Sequence, residues 1–277
     1  MIRDITIGQY YSEDTAIHRM DPRLKVIATV IYMISMFCFH RFLGFVVCAG
    51  FLGLVIHCSK VPFSYIVKGL KPMAMILLFT MVVHILFSSG TPIVSFGIIC
   101  ISWEGIREAI FMGIRLCLLV FGASMMTFTT TPNHLTDGIE KLFHPLNKIH
   151  VPVHEIAMMM SIALRFIPIL LEETDKIMKA QMARGADFES GGIIKRAKAL
   201  VPLLVPLFVA AFRRANDLAM AMEARCYRGG AGRTKMKPLK YKKVDAIGYA
   251  ALLGYIVVLV VVVQLAPTIW TVLPHPW

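Results

Sequence analysis

The chain has 277 residues, of which 57% are hydrophobic, and its mean hydropathy is +0.68. Soluble domains contain roughly 45 to 50% apolar residues, so this composition excludes an ordinary soluble domain and indicates a membrane protein. A net charge of +12 would by itself permit nucleic-acid binding. The cations follow a membrane topology instead, so we predict no nucleic-acid partner.

Five apolar runs of the length expected for membrane helices follow one another along the chain. A span needs roughly 17 to 25 residues, and the runs cover residues 24–39, 42–58, 73–87, 109–128 and 246–266. Asp21 and Pro22 precede the first run, and these residue types favour the N-cap and the first turn of a helix. The third run is short, so we expect it to recruit flanking residues. Residues 92–101, between the third and fourth runs, are strand-like or re-entrant.

Lysine and arginine are distributed unevenly, with 19 of the 29 between residues 129 and 244 and none beyond. Cytoplasmic segments of membrane proteins are enriched in these residues. We therefore predict that the N-terminus, the loop after the second run and the central region are cytoplasmic, and that the C-terminal tail is external. Three domains are predicted: four spans in residues 1–128, a cytoplasmic helical region in residues 129–243, and a last span with its tail in residues 244–277. Arg115, inside the fourth run, lies close enough to the outer end to reach the interface.

The central region has two apolar runs, residues 156–171 and 199–212, that are interrupted by Arg165, Pro168, Pro202 and Pro206. Proline bends a helix, and runs of this length contain few residues for a membrane crossing. The two runs could form one membrane hairpin. We favour long, kinked helices along the inner membrane surface, because the pattern beyond each proline becomes amphipathic.

Two matching triplets, Ala183-Arg184-Gly185 and Ala224-Arg225-Cys226, lie 41 residues apart, and each arginine ends a helical pattern. A cation or a glycine at a helix C-terminus is often only a cap. Two copies in similar contexts favour a second interpretation, in which the chain presents the same cationic helix tip twice. Such tips suit a partner with two equivalent grooves, because a guanidinium offers a rigid fork of donors to carboxylates.

Sequence motifs for catalysis are missing, since the chain contains no HExxH, no nucleophile elbow and no GxxxxGK[ST] phosphate loop. Residues 229–234 are glycine-rich but lack the lysine and the spacing of such a loop, so we interpret them as a linker. His150 and His154 are four residues apart, but Pro152 between them makes a shared metal-binding face doubtful. We therefore predict that the chain is not an enzyme and holds no cofactor or metal.

The Asp21-Pro22-Arg23 start, the run Leu164-Arg165-Phe166-Ile167-Pro168 and the two tips, in this order and spacing, resemble the transmembrane T component, EcfT, of energy-coupling-factor transporters. The resemblance covers most of the chain, from about Ile17 to the last span. It implies an all-α polytopic protein of about five transmembrane helices with long, kinked cytoplasmic coupling helices. Cys226 departs from the family pattern, which often has glycine there.

The resemblance also implies partners and a function. In this family a T component in the bacterial or archaeal cytoplasmic membrane docks two ABC-type ATPase subunits, which hold ATP and Mg, and a substrate-binding S component. Its role is to transmit ATP-driven motions for the uptake of vitamins or other micronutrients, and the substrate is chosen mainly by the S component. Ala183, Arg184, Gly185, Ala224, Arg225 and Cys226 would form the ATPase-docking sites. The alternative is a self-contained polytopic carrier or a membrane-bound enzyme.

Overall fold

The computed structural model describes residues 10–39, 42–87, 92–96, 99–186, 188, 192–230, 236 and 238–270. These residues form two compact units, one made of residues 140–238 and the other of residues 10–139 together with residues 239–270. Both units are dominated by helices. The predicted helical, polytopic membrane architecture is confirmed.

The elements follow the apolar runs closely. The α-helices in chain order are α1 (Ala16–Arg19), α2 (Pro22–Ser35), α3 (Phe42–Ser59), α4 (Phe63–Leu70), α5 (Ala74–Phe87), α6 (Trp103–Thr129), α7 (Pro132–Phe143), α8 (Val153–Ala183), α9 (Ile193–Ala224) and α10 (Lys243–Trp270). A short 3₁₀ turn, Lys71–Met73, joins α4 to α5, and a second, His144–Ile149, follows α7. The short third run therefore recruits α4 on its N-terminal side, as expected.

Residues 92–101 contain a β-hairpin, in agreement with the strand-like interpretation. Strand β1 (Pro92–Phe96) pairs antiparallel with β2 (Ile99–Ser102). The Ser102 hydroxyl then accepts a hydrogen bond from the Gly105 N–H at 3.1 Å and caps α6. Serine is a favoured N-cap because its side chain satisfies one of the free N–H groups in the first helical turn.

Six helical segments of the described chain are long and apolar enough to cross a membrane: Phe42–Ser59, Phe63–Phe87, Trp103–Thr129, Val153–Ala183, Lys198–Ala224 and Lys243–Gln264. The predicted number was about five. Helix α2, with 14 residues, spans about 21 Å at 1.5 Å per residue and is not among the six. The two central helices are among the six. Pro168, Pro202 and Pro206 lie inside these continuous helices and do not divide them. The central helices are therefore longer than their apolar runs suggested, and the prediction that they lie along the inner membrane surface cannot rest on their length.

The start of α2 is built as the sequence predicts. The Asp21 carboxylate accepts a hydrogen bond from the Arg23 N–H at 2.9 Å, and Pro22 occupies the first turn. Proline suits this position because its missing N–H would have no partner within the helix. The Arg23 guanidinium lies over the Tyr241 ring, 5.0 Å from its centroid, so Arg23 is held by residues of its own unit.

Asp245 joins the beginnings of α2 and α10. Its side chain is fully buried and accepts hydrogen bonds from the N–H groups of Asp21 and Lys242, both at 2.6 Å. Lys25 extends the same junction to the end of α6, because its Nζ donates to the Thr129 carbonyl at 2.7 Å. A buried charge is tolerated only when its hydrogen bonds are made, and these contacts satisfy that condition.

The core of this unit lies between α2, α3, α6 and α10. Phe51 stacks on Tyr255 with ring centroids 4.4 Å apart, and the Tyr255 hydroxyl is hydrogen bonded to Ser35 Oγ at 2.5 Å. Helix α6 approaches α2 closely at Gly122, where a Cβ would lie 2.5 Å from the Tyr32 ring. Small residues permit such close crossings of membrane helices.

Arg115 lies on α6 and is held within the protein. Its Nη2 donates a hydrogen bond to the Phe39 carbonyl at 3.1 Å. The guanidinium also lies 5.8 Å and 5.6 Å from the ring centroids of Phe37 and Phe45. These contacts offset the cost of a cation in an apolar segment.

Candidate functional site

The predicted tips lie at the C-terminal ends of α8 and α9, which are the two longest helices of the described chain, with 31 and 32 residues. Arg184 and Arg225 are their C-cap residues. The backbone angles φ and ψ are −88° and 6° at Arg184 and −91° and 12° at Arg225. The prediction that each arginine ends a helix is confirmed.

The first tip ends in a left-handed turn with two backbone hydrogen bonds. The Gly185 N–H donates to the Met182 carbonyl at 2.9 Å, and the Ala186 N–H donates to the Gln181 carbonyl at 3.0 Å. Gly185 has a φ of 89°. This pair of bonds, with a glycine in the left-handed region, is the Schellman motif.

The second tip repeats this pattern with a cysteine in the left-handed position. The Cys226 N–H donates to the Glu223 carbonyl at 2.8 Å, and the Tyr227 N–H donates to the Met222 carbonyl at 3.1 Å. Cys226 has a φ of 56°, a conformation that disfavours side chains with a Cβ. The two triplets that match in sequence therefore match in backbone geometry.

The guanidinium groups do not take part in this capping. Both arginine side chains are exposed, and within the described residues neither makes an ion pair or a side-chain hydrogen bond. Backbone N–H groups already bond to carbonyls in the last turn of both helices. The cap interpretation therefore accounts for the backbone of each tip but leaves its charge available to a partner.

Helices α8 and α9 pack against each other in opposite directions. Arg214 of α9 forms an ion pair with Glu173 of α8 at 2.8 Å, and the Gln181 side chain donates to the Pro202 carbonyl at 3.4 Å. The later of the two α8 residues therefore meets the earlier of the two α9 residues, as in an antiparallel pair. The two tips lie at opposite ends of the pair, about 35 Å apart at 1.5 Å per residue.

Comparison with known proteins places this helix pair in a family. Residues 13–236 match the family model described as CbiQ, cobalt transport protein. The match covers most of the chain and includes both tips. The chain belongs to this family.

Individual relatives give a more specific name than the family model does. The chain is 53% identical over 247 residues to a protein of Ruminiclostridium cellulolyticum, covering 89% of this chain and 92% of the relative. It is 51% identical over 259 residues to one of Acidaminococcus fermentans, covering 94% and 97%, and 47% identical over 246 residues to one of Bacillus subtilis, covering 88% and 93%. All three are named energy-coupling factor transporter transmembrane protein EcfT, so the predicted resemblance is confirmed.

In the structure of this chain, a further arginine lies beside the second tip. Arg165 of α8 lines the same cleft as Arg225, although the two residues are far apart in sequence. In the sequence, Arg165 interrupts an apolar run and belongs to the run of residues 164–168 that resembles the family, but nothing there assigned it to a site. A cation inside an apolar run usually faces a partner, a cavity or water, and this signal could have identified it.

His150 and His154 do not lie on one helical face. His150 has a φ of 62° and precedes α8, whereas His154 lies in its first turn and contacts Glu140 Oε1 through Nδ1 at 2.9 Å. The two rings therefore do not share a helical face. Among the described residues no group of three potential metal ligands is present. Most of the glycine-rich segment 229–234 lies outside the described residues.

Proposed function

We propose that this chain is the transmembrane coupling component of an energy-coupling factor transporter, and that each arginine tip docks one ABC-type ATPase subunit on the cytoplasmic side. One observation supports this most strongly: the two tips share one backbone geometry and lie at opposite ends of an antiparallel helix pair. At about 35 Å the tips are too far apart to enter one groove. Two separate subunits fit this spacing.

The chemistry of docking follows from the guanidinium group. Arginine presents a planar fork of N–H donors that matches a carboxylate with two parallel hydrogen bonds. Each tip projects beyond the last turn of a long helix, so it reaches a recessed carboxylate without unfolding its cap. Small flanking residues, Ala183 at one tip and Ala224 at the other, leave room for close approach.

The transmission of motion follows from the packing of α8 on α9. An α-helix changes its length little, so a displacement at a docked tip moves the whole helix. The ion pair between Glu173 and Arg214 joins the helices about two-thirds of the way along each, and a movement of either tip therefore acts on both. In the proposed mechanism this movement reorients a membrane-embedded S component that carries a vitamin or another micronutrient. ATP and Mg are bound by the ATPase subunits, and this chain contributes no catalytic group.

Removal of the tip charges tests the proposal. We expect Arg184→Ala and Arg225→Ala each to impair coupling, and the double variant to release the ATPase subunits. Each truncation leaves a partner carboxylate unpaired, which costs about 3 to 5 kcal/mol locally. Arg→Lys should rescue poorly because an ammonium lacks the planar fork. The measurement is co-purification of the ATPase subunits with the tagged chain, beside substrate uptake and the thermal stability of the isolated chain.

Arg213→Ala provides a matched control, since Arg213 is an exposed arginine of the same helix α9 and lies away from both tips. It should retain assembly and uptake. If the tips are only helix caps, the tip variants should each lower stability by about 0.3 to 1 kcal/mol and leave assembly intact. A double variant that assembles and transports normally contradicts the proposed role.

A further inference from the structure

A cleft of about 580 Å³ lies between α8 and the C-terminal tip of α9. The α8 residues that line it recur every three or four positions, so they form one face of that helix. The lining combines three arginines with apolar side chains: Arg165, Arg225, Arg228, Met158, Ile162 and Met222.

The charge in this cleft is one-sided. Among the described residues that line it, none is acidic. One carboxylate lies at its edge, that of Glu155, whose Oε1 is 3.9 Å from the point where a Cβ on Gly229 would stand. A guanidinium is always charged in a protein, and like charges that share a partly enclosed, partly apolar space repel one another. The cleft is therefore complementary to an anion.

The shape and the chemistry of the lining favour a carboxylate on a protein side chain. Methionine and isoleucine offer an apolar surface for the methylene groups of a glutamate or for an apolar neighbour of an aspartate. Arginine binds carboxylates through two parallel hydrogen bonds. Arg225, one of the three arginines, is also the residue that we place against an ATPase subunit, so an occupant from the same subunit lies within reach.

We propose that this cleft binds an acidic side chain of the ATPase subunit that docks at the second tip. The subunit then contacts both the C-terminal end of α9 and the cleft beside it. This inference rests on the proposed function and extends it. At the first tip a Cβ on Gly185 would meet no atom within 4 Å, so the backbone there is open, whereas Cys226 at the corresponding position lines the cleft. The tips share a backbone but differ in surroundings, and the second tip selects the subunit that carries the acidic segment.

The decisive substitution is Arg165→Gln, because Arg165 lines the cleft and does not belong to either tip. The full-length chain is reconstituted in nanodiscs of phosphatidylcholine, and binding of its purified cognate ATPase subunits is titrated. Loss of one charge-assisted contact should weaken binding about tenfold, and the salt dependence of binding should become shallower. Arg213→Gln is the control and should bind as the unsubstituted chain does. Arg165 is exposed, so the variant should retain its thermal stability.

A cross-linking experiment identifies the occupant. A photoreactive benzoylphenylalanine at Ser161, which lines the cleft, should capture an ATPase peptide that contains aspartate or glutamate. Capture of a peptide without an acidic residue overturns the proposal.

The remaining outcomes separate this proposal from the proposed function. If Arg165→Gln binds normally while the Arg184/Arg225 double variant does not, the cleft proposal fails and the docking proposal stands. If the double variant also binds normally, both fail. If Arg165→Gln weakens binding only in nanodiscs that contain phosphatidylglycerol, the occupant is an anionic lipid headgroup and the cleft proposal is overturned.

Discussion

The left-handed residue that follows each C-cap predicts opposite stability changes for two matched substitutions. Cys226 has a φ of 56° and Gly185 a φ of 89°, and a residue with a Cβ in this region costs about 1 to 2 kcal/mol. Glycine also adds about 0.4 to 1 kcal/mol of backbone entropy to the unfolded chain. The left-handed strain is larger than this entropy cost. We therefore expect Cys226→Gly to stabilise the folded chain and Gly185→Ala to destabilise it, each by about 0.5 to 1 kcal/mol.

The structure isolates this backbone effect at the first tip. A Cβ on Gly185 would meet nothing within 4 Å, so alanine introduces no steric clash there. The measurement is the thermal midpoint of the purified chain in one detergent, and a change of this size corresponds to a shift of about 1 to 4 °C. Cys226→Ala keeps the left-handed strain and should leave the midpoint nearly unchanged.

Docking is measured beside stability. Gly185 and Cys226 belong to the predicted docking sites, so a change in ATPase co-purification reports the fit at those sites, and only the midpoint of the isolated chain tests the left-handed strain. A lower midpoint for Cys226→Gly, or an unchanged midpoint for Gly185→Ala, would show that the left-handed turns do not carry the assigned strain.

Three further changes have defined outcomes. Gly122→Ala should destabilise the chain by about 1 to 3 kcal/mol, because a Cβ would lie 2.5 Å from the Tyr32 ring; thermal unfolding measures this, and an unchanged midpoint would contradict the close packing. A double-mutant cycle with Glu173→Gln and Arg214→Gln should give a coupling of about 0.5 to 1 kcal/mol for this partly exposed pair, and zero coupling would show that the ion pair does not join the helices. In a cysteine-free background, Met236→Cys should resist impermeant thiol reagents added to intact cells, and labelling would refute the predicted cytoplasmic location.

Much of the local structure could be predicted because it depends on neighbours in sequence. An apolar run long enough to span a bilayer forms a helix whatever surrounds it, since its backbone must satisfy its own hydrogen bonds. Residues 42–58 and 109–128 accordingly lie in α3 and α6. The caps at Asp21, Arg184 and Arg225 involve residues no more than five positions apart, so residue type alone was sufficient to place them.

The number of candidate spans could not be predicted from run length, because the sequence does not show whether a proline ends a helix or only interrupts its hydrogen bonding. Pro168 lies inside α8, and Pro202 and Pro206 lie inside α9. A proline removes one backbone donor, and the neighbouring turns on either side are sufficient to continue each helix. Packing of α8 on α9 adds contacts that an isolated run lacks.

The sequence by itself determined that two arginines stand at equivalent helix ends, because capping is local. Only the tertiary structure decided what each tip faces. Arg165 lies in the cleft beside Arg225 because α9 runs antiparallel along α8. The helical period of a sequence shows which residues share one face of a helix, but not which other helix packs on that face. Residues distant in sequence come together only when whole helices pack, so the surroundings of the two tips differ although their triplets and backbones match.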